Sequence, residues 1–120
     1  MKAFTDIEQS KKLAEILPIE SADMRYAPFG DTHPWVWDDN LLEKGAIPCW
    51  SLASLFNYLR EVDFFPEIDA DEVMVTMNIN YYDEEEARLL APIHNIKVKA
   101  ESFIDACVEL ISKLREQKIL

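Results

Sequence analysis

The chain has 120 residues, of which 49% are hydrophobic and only 2 are Gly, and its formal net charge is −11. This length predicts a single domain, residues 1–120, with one apolar core. The charge argues against nucleic acid and anionic membranes as partners, because both are bound mainly through Lys and Arg.

The first predicted element is a helix at residues 6–16. Thr5 and Glu8 fit a capping box, in which each side chain satisfies a backbone N–H at the start of the helix. Pro18 ends it, because the residue before a proline is pushed out of the helical region.

Two short strands follow, at residues 24–27 and 35–38, joined by a segment rich in turn residues. We expect them to form a hairpin in which Trp35 and Trp37 share one face. Both rings are candidates for the core.

The densest apolar stretch is residues 47–59, which predicts a buried helix preceded by its start signal. Ser51 is suited to cap the helix, and Trp50 and Leu55 are spaced as a hydrophobic staple. The apolar residues then recur with helical spacing and predict one buried stripe: Leu52, Leu55, Phe56 and Leu59.

A loop is predicted at residues 63–72, and the clearest strand of the chain at residues 73–82, where apolar and polar side chains alternate. Residues 83–91 fit either a short helix or a wide turn into a strand. A short strand at residues 96–99 completes the predicted sheet.

The last helix begins at Ser102, which with Asp105 resembles a capping box, and carries a broad apolar stripe that includes Cys107. Glu109 and Lys113 are spaced to pair one turn apart. The predicted order is α-β-β-α-β-β-α: a two-layer α+β domain with a mostly antiparallel sheet of about four strands and three helices.

Three segments, MKAFTDIEQSKKLAEILPIESADM, IPCWSLASL and IDACVELISKL, together resemble a group of short uncharacterised proteins associated with gut-anaerobe genomes and mobile elements. The three segments make up a little over a third of the chain. It implies no activity, cofactor or catalytic residue, so no functional position is carried over from it.

The charge is concentrated in residues 61–87, here called the acidic stretch, which holds ten Asp and Glu and no Lys or Arg. Solvated loops that keep a sheet end soluble are one explanation, because charge runs are usually solvated. The functional alternative is a docking surface for a basic partner. An acidic nucleic-acid mimic or anti-defence protein is a further alternative, although ten acids in two clusters imitate duplex phosphates poorly.

Metal sites are poorly supported. Asp69, Asp71 and Glu72 suggest calcium, but Met74 stands where the calcium loop needs Gly and Asn80 where it needs Glu. The 2 His and 2 Cys lack zinc-ligand spacing. We therefore expect neither a metal nor another cofactor.

Cys49 is the one candidate nucleophile, because it precedes a helix N-terminus, where a thiolate is stabilised, and His33 or His94 offers a base. A small Cys-dependent hydrolase or transferase is thus an alternative function. A buried structural cysteine is the simpler interpretation for both Cys49 and Cys107, since free cysteines usually behave as small hydrophobes.

Free buried thiols and the absence of a signal-peptide pattern or a long apolar run predict a cytoplasmic protein. Our leading hypothesis is a non-enzymatic interaction domain that binds a protein partner, or a second copy of itself. The predicted contact residues combine an aromatic pair with nearby carboxylates: Phe64, Phe65, Glu67, Asp69, Asp71 and Glu72.

Overall fold

A computed structural model of the chain describes residues 2–27, 33–36, 46–81, 94–117 and 120. Within these residues there are three α-helices, one short 3₁₀ turn and six strands, which confirms the α+β class. The strands form two antiparallel sheets of three, instead of one sheet of about four. In chain order the elements are α1 Ile7–Ala14, the 3₁₀ turn Ile19–Ser21, β1 Met24–Tyr26, β2 Trp35–Val36, β3 Ile47–Cys49, α2 Leu52–Glu61, β4 Glu67–Ala70, β5 Val75–Tyr81, β6 His94–Ala100 and α3 Phe103–Glu116.

The first sheet has the strand order β2-β1-β3. The predicted hairpin is confirmed, with Met24 opposite Val36 and Arg25 opposite Trp35. Trp35 is 60% exposed, so this candidate for the core is not a core residue; Trp37 lies outside the described residues. The start of residues 47–59 is also corrected, because β3 pairs with β1 before α2 begins.

The second sheet has the order β4-β5-β6, and here the alternation predicted from the sequence is confirmed. One face is apolar and buried: Val75, Met77, Ile79, Ile96 and Val98. That face packs against α3, whose buried residues include Cys107, Leu110, Ile111 and Leu114. Val73 is 73% exposed and precedes β5, so the strand begins two residues later than predicted. Residues 83–91 lie outside the described ranges.

The capping box of α1 is displaced by one residue from the predicted one. Asp6 accepts from the Gln9 backbone N–H at 2.8 Å, and the Gln9 side chain accepts from the Asp6 N–H at 3.1 Å. The Thr5 hydroxyl is used elsewhere: it is fully buried and accepts from the Trp50 N–H at 3.1 Å. A tertiary contact therefore decides which residue caps the helix.

The predicted N-cap residues of the other two helices, Ser51 and Ser102, are confirmed. Ser51 accepts from the Ser54 N–H, and Ser102 accepts from the Asp105 N–H. The Asp105 carboxylate has a second role, because Lys2 Nζ and Gln9 Nε2 both donate to it at 2.7 Å. This contact ties the start of the chain to the last helix.

None of the helices in the described part of the chain is long and apolar enough to cross a membrane.

Candidate functional site

The two adjacent phenylalanines, Phe64 and Phe65, point in opposite directions because of how α2 ends. Asp63 adopts a left-handed conformation with φ 63°, and the Phe64 N–H donates to the Leu59 carbonyl oxygen at 2.8 Å. This is the Schellman arrangement, which places the residue two after the cap against the last helical turn. Phe64 is accordingly 6% exposed and Phe65 is 66% exposed. Phe64 is therefore a core residue and not a contact residue.

The predicted loop at residues 63–72 contains a short strand, β4, and all four of its residues are exposed. In its pairing with β5, Glu67 lies opposite Asn78 and Asp69 opposite Thr76. These two acids therefore share the solvent face of the sheet. The strand was missed because no apolar alternation marks it.

Ile68 lies opposite Met77, on the apolar face, yet it is 44% exposed. β4 therefore extends the apolar layer to a rim that α3 does not cover. Two other large apolar residues near β4 in sequence are exposed as well: Phe65, at 66%, and Val73, at 73%. Of these three residues, only Phe65 was predicted from the sequence to be a contact residue.

Asp71 has a structural role at the turn between β4 and β5. Its carboxylate accepts from the backbone N–H groups of Val73 and Met74 at 2.8 and 2.7 Å. Backbone hydrogen bonds from Met74 and Val73 lower the pKa of Asp71 below its usual range. Glu72, at the tip of the turn, is exposed. Asp71 therefore shapes the surface, while Glu72 remains open to a partner.

The structure thus groups Phe65, Glu67, Asp69 and Glu72 on one short segment. We call residues 65–72 the β4 segment. Residues 82–93, which carry four of the ten acids of the acidic stretch, lie outside the described residues.

The solvent face beside β4 also carries basic side chains. Asn78 lies between Glu67 and Lys97, and Thr76 lies between Asp69 and Lys99. Part of this face forms a shallow depression of about 410 Å³ that includes Glu67, Asp69 and Lys97. A face with both signs of charge is a poor imitation of a phosphate backbone, which has one sign throughout.

Cys49 lies fully buried at the end of β3. Its thiol donates to the Thr5 carbonyl oxygen at 3.4 Å, and the Thr5 hydroxyl donates to its sulfur at 3.5 Å. Burial raises the pKa of Cys49, although hydrogen bonds with Thr5 oppose the change. A nucleophilic cysteine needs access and a lowered pKa. This environment is typical of a structural thiol.

Cys107 is also buried, next to Met77, and burial raises its pKa to about 12. His33 is exposed, whereas the side chain of His94 is outside the described set. Among the described residues, no three His, Cys, Asp or Glu side chains are grouped to hold a metal ion.

A second groove, of about 530 Å³, lies between the 3₁₀ turn and α2 and carries the acids Glu20, Asp23 and Glu61. Both oxygens of the Asp23 carboxylate already accept hydrogen bonds from Ser51. The Ser51 N–H donates to one at 2.9 Å, and the Ser51 hydroxyl donates to the other. Asp23 therefore serves to fix the start of α2.

No protein-family model, no curated protein and no solved structure matches this chain. The resemblance of its three segments to short proteins of gut anaerobes stays a prediction.

Proposed function

We propose that this protein is a non-enzymatic interaction domain that binds a basic protein partner through the β4 segment. The observation that carries the proposal is the Phe65 ring, 66% exposed beside a strand whose Glu67 and Asp69 carboxylates face solvent. Exposed aromatic rings rimmed by polar groups are frequent anchors of protein interfaces. The surrounding carboxylates favour a partner with Lys and Arg.

A protein is a better partner for this surface than nucleic acid or a membrane. Residues 61–87 contain no Lys or Arg, so the segment repels phosphate groups. A second copy is disfavoured as well, because two β4 segments would bring like charges together. Two buried free thiols suit a reducing compartment, and we place the protein in the cytoplasm.

The test first uses the tagged wild-type protein and its variants as bait in a native lysate. The affinity of each recovered protein for the bait is then measured with purified components. Phe65→Ser removes the proposed anchor, and Trp35→Ser is the matched control, because that ring is 60% exposed on the other sheet. Phe64 is left intact because it belongs to the core.

We expect Phe65→Ser to weaken binding of a basic partner about ten- to hundredfold, from loss of one buried aromatic ring. Asp69→Lys should weaken it too, and added salt should reduce the wild-type affinity. Trp35→Ser should bind like the wild type. Equal affinity of Phe65→Ser and the wild type contradicts the proposal, as does a partner that binds equally to Asp69→Lys.

A further inference from the structure

β4 is paired along one edge only: it hydrogen-bonds to β5, and no strand among the described residues pairs with its other edge. The turn fixes which backbone groups face that free edge. The Asp71 N–H donates to the Met74 carbonyl oxygen at 3.0 Å, so these two residues form a hydrogen-bonded pair. Such pairs alternate along an antiparallel ladder.

Glu67 and Asp69 therefore direct their backbone groups toward β5, whereas Ile68 and Ala70 direct theirs toward the free edge. The free edge thus presents two N–H donors and two C=O acceptors. Pro66 would be the next residue facing that edge, and it has no N–H to offer. The part of the free edge that can pair with another strand is therefore short, and Pro66 limits it on one side.

The side chains alternate in the same way. Glu67 and Asp69 lie on the solvent face of the sheet, and Ile68 lies on the apolar face at its uncovered rim. A strand added here would place alternate side chains beside the two carboxylates and beside Ile68. Charge complementarity requires basic residues at the first set, and burial of apolar area favours apolar residues at the second.

We propose that the partner binds by strand addition to β4, as an extended segment in which basic and apolar side chains alternate. In this binding mode backbone hydrogen bonds supply affinity and alternate side-chain positions supply specificity. The inference rests on the proposed function and adds the binding mode and the partner's sequence pattern. Exposed edges are often protected by charge against pairing with other strands. Here the charge disfavours acidic strands and favours basic ones.

A second copy could offer β6, whose exposed Lys97 and Lys99 alternate with Ile96 and Val98. Such head-to-tail pairing would build open chains of subunits. The net charge of −11 opposes it, because each added copy brings the same excess charge.

The test titrates ¹⁵N-labelled protein with a six-residue peptide of alternating Lys and Val. One control peptide has the same composition, with three Lys followed by three Val. Two other control peptides carry backbone N-methyl groups on alternate residues, one on its Lys residues and the other on its Val residues. Methylation removes these N–H donors but keeps the charges. We expect amide shifts at Ile68 and Ala70, and affinity reduced about tenfold or more for the block peptide and one methylated register.

The protein variants separate this binding mode from simple surface contact. Ala70→Pro removes a free-edge N–H at a position where an edge strand accepts proline, and Ala70→Val keeps that N–H. We expect about a tenfold loss of peptide affinity in Ala70→Pro and none in Ala70→Val. Unchanged β5 amide shifts establish that Ala70→Pro folds normally.

Three results overturn strand addition: no binding of the alternating peptide at about 1 mM, the weakest affinity of interest; equal binding of the block peptide; or unchanged affinity in Ala70→Pro. If Phe65→Ser still abolishes capture of a basic partner in those cases, the proposed function stands and only the binding mode is wrong. A mass that rises with concentration and falls in Ala70→Pro would identify a second copy as the occupant and overturn the choice of a separate partner.

Discussion

The backbone N–H of Phe64 lies 2.8 Å from the carbonyl oxygen of Leu59, and both side chains belong to the same core cluster. This bond requires Asp63 to adopt φ 63°. It also brings the chain out of α2 with the Phe65 ring on the outside. The candidate binding surface is therefore set by the end of the helix that precedes it.

Asp63→Gly should stabilise the fold. A non-glycine residue in the left-handed region costs on the order of 1 kcal/mol, and a carboxylate at a helix C-terminus interacts unfavourably with the helix dipole. Part of that gain is offset by the greater freedom of Gly in the unfolded chain. We expect the free energy of unfolding to rise by about 0.5–1 kcal/mol in urea denaturation.

Asp63→Asn is the matched control, since Asn tolerates the left-handed conformation but carries no charge. Asp63→Asn should therefore give only the electrostatic part of the stabilisation that is expected for Asp63→Gly. A destabilised Asp63→Gly variant would contradict the Schellman arrangement. Neither variant should alter binding through Phe65.

Lys2 and Asp105 should be coupled energetically across the domain. Their contact is 2.7 Å, and their side chains are 31% and 33% exposed. We expect a double-mutant cycle with Lys2→Met and Asp105→Asn to give a coupling of about 1 kcal/mol. The more exposed pair Glu109–Lys113, separated by 3.7 Å, should give less than about 0.5 kcal/mol. Equal couplings would contradict the assigned contact.

The pH dependence of this pair follows from both partners. Burial raises the pKa of Asp105, but hydrogen bonds from Lys2 and Gln9 outweigh it and lower the pKa overall. Burial lowers the pKa of Lys2, but hydrogen bonds to Asp105 and Asp6 outweigh it and raise the pKa. The contribution of the pair to stability should therefore be complete between about pH 4 and pH 10, which are close to the pKa values of Asp and Lys in the unfolded chain. It should be lost as the pH falls below the first or rises above the second. Urea titrations of the wild type and Asp105→Asn across this range measure it.

Thr5→Val should destabilise the protein although it preserves the shape of the side chain. The Thr5 hydroxyl accepts from the Trp50 N–H at 3.1 Å and shares a hydrogen bond with Ser10 at 2.8 Å, and all three residues are fully buried. Leaving those groups unsatisfied costs about 1–3 kcal/mol.

Ser112→Ala removes another buried hydroxyl and serves as the comparison. Its hydroxyl donates to the Val108 carbonyl oxygen of the same helix, at 2.8 Å. Its loss should change the free energy of unfolding by less than about 0.5 kcal/mol. Similar losses of unfolding free energy in Thr5→Val and Ser112→Ala would show that stability depends on the buried hydroxyl itself and not on the hydrogen bonds around Thr5.

The parts of the fold that could be predicted are those in which local pattern and packing agree. The stripe through Leu55 and Leu59 and the alternation from Val75 to Ile79 both match the buried faces. β4 was missed because Ile68 is its only large apolar residue and no periodicity marks an exposed strand. The cap of α1 was misplaced because Thr5 and Asp6 are both good capping residues, and the tertiary contacts of the Thr5 hydroxyl, including the one with Trp50, distinguish them.

The candidate site was partly predictable for a similar reason. Charge and aromatic content pointed to residues 61–72, since both are readable without a structure. Phe64 is buried and Phe65 is exposed because Asp63 adopts a left-handed conformation. The sequence does not indicate that conformation, since the position is not a glycine. The role of Asp71 depends on the turn that it closes.

Cys49 should be unreactive in the folded protein, which tests the enzymatic alternative directly. The thiol is fully buried, and burial raises its pKa, so little thiolate exists near neutral pH and none is accessible. With iodoacetamide at about pH 8, close to the pKa of a free thiol, we expect modification at least about a hundredfold slower than for free cysteine. Peptide mapping by mass spectrometry resolves Cys49 from Cys107, whose pKa of about 12 makes it an internal reference. Both should react rapidly once guanidinium unfolds the chain. Fast modification of Cys49 alone in the native protein would contradict its buried position and would favour a Cys-dependent hydrolase or transferase over the interaction domain proposed above.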